Sequence, residues 1–227
     1  MNNATLARLS GAALASALAL AATPAMAQEA GDVQVKLFVT GVLPDGEIDQ
    51  VNLDLVGLPA GTQTEASDNV VPTVAIEYFV SPSFSVETIC CLTQHDVDGV
   101  AGAAGTELVS DALLLPATVT GKFHLNAGGV SPYVGAGVAY FIWLDDEPGA
   151  TAVALGADDF SLSDELGFVL QAGIDVPVGD SGFGVSLDAK RYFIGTTARW
   201  YANGVEVIET EHNLDPWVLS AGVSYRF

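Results

Sequence analysis

Three histidines, two adjacent cysteines and several acidic clusters are the side chains of this 227-residue chain best suited to catalysis or metal binding. His95 stands in Gln94-His95-Asp96 and His212 in Glu211-His212-Asn213, so each has an acid nearby. Nucleophilic catalysis also needs a nucleophile within hydrogen-bond reach of the base, and neither histidine has an obvious serine partner. Both are expected as solvated loop residues, and the chain is expected not to be an enzyme. Asp96-Val97-Asp98-Gly99 and Asp145-Asp146-Glu147 are oxygen-rich, but neither has the ligand spacing of a dedicated calcium loop. They are expected as solvated charge runs, with no metal site. Cys90 and Cys91 are consecutive, so on a strand they point to opposite faces and cannot form an ordinary disulfide. No helix follows Gly128-Gly129 or Gly135-Ala136-Gly137, which removes the phosphate-binding context of a glycine loop, and no cofactor is expected.

The elements that position these residues follow from composition and periodicity. Seven Lys+Arg stand against 28 Asp+Glu, a formal net charge of −21. Without a basic stripe to neutralise phosphates, nucleic-acid binding is excluded as a function class. Half of the residues are hydrophobic, far too many for a disordered acidic tail. Part of that apolar content is N-terminal: Arg8 precedes the small and apolar run from Leu9 to Ala22, and Ala25-Met26-Ala27 follows. A positive start, a short apolar stretch and an A-x-A site predict a secretory signal peptide over residues 1–27, cleaved after Ala27. The mature domain is then 28–227.

No later stretch reaches the 18 or more apolar residues of a membrane helix. Instead, segments of about ten residues alternate apolar with small or polar residues between turn formers, which is the strand signal. In the clearest, Trp217, Leu219, Ala221, Val223, Tyr225 and Phe227 share one face and Val218, Ser220, Gly222, Ser224 and Arg226 the other. The same template predicts eight strands, at 33–42, 73–80, 84–93, 114–125, 133–144, 165–176, 183–194 and 217–227. Tight turns at 81–83, 126–132 and 177–182 alternate with long connections at 43–72, 94–113, 145–164 and 195–216. Those four long connections hold most of the acidic residues against one basic residue, Arg199. Short turns at one end and long loops at the other predict an all-β fold, an eight-stranded antiparallel transmembrane β-barrel of the Gram-negative outer membrane, with four long acidic extracellular loops.

Charge placement agrees. One face of the strands is apolar, for example Val74, Ile76 and Tyr78, Leu115, Val119 and Phe123, or Leu166, Phe168, Leu170 and Ile174. The opposite faces carry Lys36, Glu77, Glu87, Lys122, His124, Glu165, Asp175, Asp188, Lys190 and Arg226. A charge facing hydrocarbon at the midplane costs about 2–4 kcal/mol, so these ten residues are predicted to form a paired network in the lumen, with His124 near the periplasmic turn. Arg191 breaks the pattern and is expected either to snorkel on the outer face or to be turned inward by a bulge. Above the charges, Phe38, Ile89, Phe141 and Tyr192 are predicted to line an apolar pocket. Eight strands leave an interior filled by side chains or just wide enough for one small ligand, which excludes a wide aqueous pore.

A soluble, lipocalin-like barrel is the competing fold, but it places apolar residues inside. The chain end separates the two further. Gly222, Tyr225 and the terminal Phe227 look like the signal that outer-membrane barrels present to their assembly machinery, and that machinery, membrane lipid and lipopolysaccharide are the expected partners.

Leu115-Pro116-Ala117-Thr118, Ser131-Pro132-Tyr133-Val134-Gly135-Ala136-Gly137-Val138-Ala139-Tyr140 and Leu214-Asp215-Pro216-Trp217, together with Tyr225-Arg226-Phe227, resemble the outer membrane protein W family. The resemblance covers the whole mature chain. It implies an eight-stranded barrel with a narrow apolar lumen that passes or receives small hydrophobic molecules. Lys190 stands where the family is commonly aromatic. Two functions remain open. One is a channel or receptor for a small hydrophobic solute with lateral exit to the bilayer. The other is a structural or interaction barrel whose acidic loops bind divalent cations, lipopolysaccharide or external partners without transport. Deleting Phe227 should lower the amount of folded, heat-modifiable barrel recovered from the outer membrane, and equal recovery would remove the assembly role of the terminal aromatics.

Overall fold

The computed structural model describes residues 28–125 and 129–227. The expected leader, residues 1–27, lies outside the described residues. In chain order the strands are β1 (Val33–Leu43), β2 (Glu47–Asp54), β3 (Gln63–Ala66), β4 (Asn69–Ser81), β5 (Phe84–Cys90), β6 (Thr93–Ala101), β7 (Thr106–His124) and β8 (Ser131–Pro148). A short helix, α1 (Ala150–Ala154), precedes β9 (Asp159–Leu162), β10 (Glu165–Pro177), β11 (Phe183–Phe193), β12 (Gly195–Ala202), β13 (Val205–Asn213) and β14 (Trp217–Arg226).

Eight of these strands, β1, β4, β5, β7, β8, β10, β11 and β14, form an antiparallel meander in that order. It closes where β1 pairs with β14, in unbroken register from Gln34 opposite Arg226 to Leu43 opposite Trp217. Closure leaves no unpaired edge in a medium that offers no other hydrogen-bond partner. The period-two pattern settles which face is which. Along β4, Val71, Thr73, Ala75, Glu77 and Phe79 are buried while Val74, Ile76, Tyr78 and Val80 are exposed. With Phe168, Leu170, Val185 and Leu187, the exposed set forms the apolar band that faces lipid. Arg191 stays on that outer face with no bulge beside it. Its guanidinium lies 5.4 Å from the Trp217 ring, opposite it on β14, and Nη2 reaches Asp45 Oδ2 at 3.0 Å.

One end is tight. Ser81 and Phe84 pair directly across their turn, and Val178 N–H donates to Phe183 O across another. The chain terminus is tied in at this end: Phe227 N–H donates to Val33 O, and Tyr225 makes edge contacts with both Phe183 and Phe227. Gly222 has a packing reason of its own, because a Cβ there would collide with the Leu37 carbonyl oxygen.

The other end departs from the expected loops. About ten residues suffice for a tilted strand to cross the hydrocarbon, whereas β7 and β8 run for 19 and 18 residues. Their outer halves project past the membrane. The long connections add strands to this extension: β3 and β6 continue the barrel sheet, and β2, β13, β12 and β9 form a second sheet in that order. β12 and β13 are a hairpin around Asn203 and Gly204, both at positive φ (54° and 72°) as a type I′ turn requires. The predicted strand at 84–93 is also two strands, since the ladder lapses at Cys91-Leu92 between β5 and β6.

Candidate functional site

The tight half of the lumen is a charge network. Lys36 (β1), Lys122 (β7) and Lys190 (β11) meet Glu77 (β4), Glu87 (β5), Asp175 (β10) and Asp188 (β11), all essentially excluded from solvent. Lys36 Nζ lies 2.8 Å from Glu77 Oε2 and 3.1 Å from Asp175 Oδ2. Lys122 Nζ bridges Glu77 at 2.9 Å and Glu87 at 2.8 Å, with the Tyr133 ring centroid 3.8 Å away. Lys190 Nζ reaches Asp188 at 2.7 Å and Glu87 at 3.2 Å. Neutral donors take the remaining carboxylate lone pairs: Gln171 Nε2 bonds both Glu87 and Asp188, Tyr133 Oη donates to Asp188, and Ser186 Oγ donates to Asp175. His124 Nε2 lies 2.8 Å from Glu77 Oε1, in reach of Ser85. The residues come from seven strands, so the network ties the barrel wall to itself across the lumen and fills it.

Two of the ten residues predicted for this network lie elsewhere. Glu165 faces inward by parity but sits at the outer end of β10, opposite Phe141, where its Oε1 accepts from Ser163 Oγ. Arg226 stands at the periplasmic end, bonding Gln34 Oε1 through Nε and Nη2 with its guanidinium over Phe79. Alternation fixes the face a side chain takes, but its height depends on the stagger between strands.

Above the network lies an apolar cavity that opens to solvent. Ile89, Phe141 and Tyr192 line it, with Phe141 and Tyr192 in tilted ring contact at 5.6 Å between centroids. Phe38 does not line it. It packs with Ala75 and Ile89 in a small separate cluster, because its position opposite Thr73 on β4 and Gly222 on β14 sets it below the cavity. Between the barrel and the outer sheet, Trp143, Phe160, Leu162 and Trp200 carry the cavity upward.

His95 and His212 also line this cavity, which corrects their expected place in solvated loops. His95 is buried; its Nδ1–H donates to Ser67 O and its Nε2 accepts from Thr93 Oγ1 at 2.9 Å. His212 Nε2 lies 2.7 Å from Thr210 Oγ1 and Nδ1 3.5 Å from Thr64 Oγ1. Burial pushes the pKa of both rings down, that of His212 to about 4. The acidic residues around them hid this arrangement, although Asn203-Gly204 is a hairpin signal that places His212 on a strand. Asp146 is likewise more than a solvated loop acid, since its Oδ2 accepts Leu162 N–H. Among the described residues, no group of three or more His, Cys, Asp or Glu is placed to hold a metal ion.

Removing one partner of a buried pair strands the other, at about 3–5 kcal/mol. Lys122→Met should therefore lower the thermal stability of the barrel in detergent far more than Asp49→Asn at an exposed outer position, and equal shifts would mean a hydrated lumen. His212 gives a pH dependence. An unfolded histidine titrates near 6.5, so between about pH 6.5 and 4 the unfolded form takes up a proton that the folded form resists. Stability of the outer sheet is then fully present above that window and falls as pH drops through it. Hydrogen exchange of β13 and β2 amides should show the loss in the wild type and a smaller loss in His212→Phe. Identical profiles would contradict the burial of this ring.

The OmpW family profile matches residues 29–227. Outer membrane protein W of Vibrio cholerae is 26% identical over 220 residues, 94% of this chain and 97% of that protein. An uncharacterized outer-membrane protein of Sinorhizobium fredii, y4mB, is 33% identical over 172 residues, 75% of this chain and 71% of its own length. Among solved structures, OprG from Pseudomonas aeruginosa superposes with a TM-score of 0.79 at 24% identity, over 88% of this chain and 97% of that one, which is a likeness of fold. A closed barrel with an apolar outer band, a charged lumen and a match across its described length belongs to one family: the chain is a member of the OmpW family and an integral protein of the outer membrane.

Proposed function

We propose that the chain is an outer-membrane entry route for small hydrophobic molecules, which bind in the upper cavity and leave sideways into the bilayer. The observation that carries this reading is an apolar cavity that opens toward the outside and ends on a charged network. An apolar solute gains by entering the first and would have to displace paired ions to cross the second.

A sideways route has support in the wall. Between β5 and β6 the ladder lapses at Cys91-Leu92. β5 pairs with β7 up to Ile89 opposite Thr118, and pairing resumes only with Thr93 opposite Leu114. Pro116 lies in that interval on β7, and Pro72 faces outward near the top of β4; neither has an N–H to give to a ladder. Ile89, Cys91 and Pro116 also line the cavity, so its wall is thinnest in hydrogen bonds where it meets the outer face.

Ile89→Trp, at the base of the cavity beside this break, should slow uptake of a small hydrocarbon-like solute into proteoliposomes several-fold while the yield of folded barrel is unchanged. Unchanged uptake by a folded variant would overturn the route and favour a barrel whose acidic outer surface serves in interactions.

A further inference from the structure

The outer wall of the barrel is carbon almost throughout. From the terminal aromatics at the tight end up to the level of Trp217, the described residues that point outward from the eight barrel strands are aliphatic, aromatic or small. Arg191 is the one among them that carries a charge. Its height can be read along β11. From Phe183 to Arg191 the strand climbs roughly 20 Å along the membrane normal, close to the full apolar band of an outer-membrane barrel. Phe183 contacts Tyr225, and Tyr225 contacts Phe227, in the lower aromatic ring. Arg191 is paired with Trp217 on β14, and just above it Phe193 meets Phe168 at 5.9 Å between ring centroids. Such girdles mark the two boundaries between hydrocarbon and head groups. Arg191 therefore stands at the head-group level of the outer leaflet.

The protein satisfies this guanidinium only in part. Nη2 reaches Asp45 Oδ2 at 3.0 Å, and Asp45 is itself fixed by its N–H, which donates to Leu214 O. The Asp45 side chain is 67% exposed, so water screens the pair and the carboxylate holds the cation weakly. Nη1 lies against the wall without a hydrogen-bond partner among the described residues. The Trp217 ring, 5.4 Å from the guanidinium carbon, backs the group by a cation–π contact. A guanidinium held flat with donors to spare suits the two-point contact that phosphate oxygens make.

We propose that Arg191, backed by Trp217, docks the phosphate monoester of a lipid in the outer leaflet, of the kind that lipid A carries. Position selects the lipid as the source. A head group brings its phosphate to this level along the wall, whereas a soluble anion must come past an extramembrane extension whose acidic residues repel it. The phosphate takes Nη2 and, after a small turn of the guanidinium, Nη1 as parallel charge-assisted bonds, and Asp45 is released to water. The inference is independent of the reading of the cavity as a solute site.

The test uses the full barrel in nanodiscs of phosphatidylcholine, with Trp217 as the fluorescent reporter. Trp143 and Trp200 pack inside the outer extension, away from acyl chains. Phosphatidic acid, which has a phosphate monoester, is compared with diacylglycerol and phosphatidylcholine, all three brominated at the same chain positions. At equal mole fraction phosphatidic acid should quench Trp217 as if about fivefold enriched over phosphatidylcholine, the scale of one net hydrogen bond. Diacylglycerol should show no enrichment. Arg191→Gln, with folding confirmed by heat-modifiability, should abolish the preference, and Asp45→Asn, which frees Nη2, should raise it. Unbrominated lipid A added to the discs should relieve the quenching, and millimolar inorganic phosphate should not. Equal quenching by phosphatidic acid and phosphatidylcholine, a preference that survives in folded Arg191→Gln or is unchanged in Asp45→Asn, or no relief by lipid A would overturn the site. Relief by inorganic phosphate would overturn the lipid assignment and make Arg191 a soluble-anion site.

Discussion

Three ammonium groups and four carboxylates share the narrow half of the lumen, and their mutual pairing is the condition on which the rest of the barrel depends. Within the hydrocarbon a strand can place a charge only inward, and eight strands enclose a space that side chains fill. Each inward charge must therefore find its counter-charge at the same height, on another strand or two residues along its own. Lys122 does so with Glu77 and Glu87, Lys36 with Glu77 and Asp175, and Lys190 with Asp188 and Glu87. Such pairs contribute little net stability over an apolar filling, but an error in register would leave buried charges alone. The network thus specifies strand stagger as well as closing the lumen.

What lies above follows from that closure. With one end of the lumen filled, the inward residues toward the mouth, among them Ile89, Phe141, Tyr192 and Val218, face a blind space. The long outer halves of β7 and β8 and the second sheet deepen it. Phe160 and Trp200, in ring contact at 4.8 Å, cover the space from the side of the second sheet. The outer surface of the same segments carries most of the acid, which keeps a large extramembrane extension hydrated. One set of strands therefore presents carbon inward and carboxylate outward.

Much of this was legible in the order of residues. Unbroken alternation from Trp217 to Phe227 predicts the closing strand, and the segregation of Lys36, Glu77, Glu87, Lys122, Asp175, Asp188 and Lys190 to one face predicts which side is the lumen. Height was not legible, because parity repeats every two residues whereas stagger arises between strands. Phe38 and Glu165 both have the predicted face but stand at other levels. The outer strands are masked by an acidic composition that resembles that of loops, even where Asn203-Gly204 marks a hairpin. His95 and His212 shared that fate: an acid close by in sequence says nothing of the threonine that packs on the ring from two residues away or from another strand.

The lumen has two compartments, a paired-charge network toward the tight end and an apolar cavity above it. Anomalous diffraction from crystals of the barrel equilibrated with bromobenzene locates a bound apolar molecule without labelling the protein. Bromine density is expected among Phe141, Tyr192, Trp143 and Trp200. Bromine density among Lys36, Lys122 and Glu77, or an upper cavity that stays empty while the outer face of the same barrel binds the probe, would contradict it.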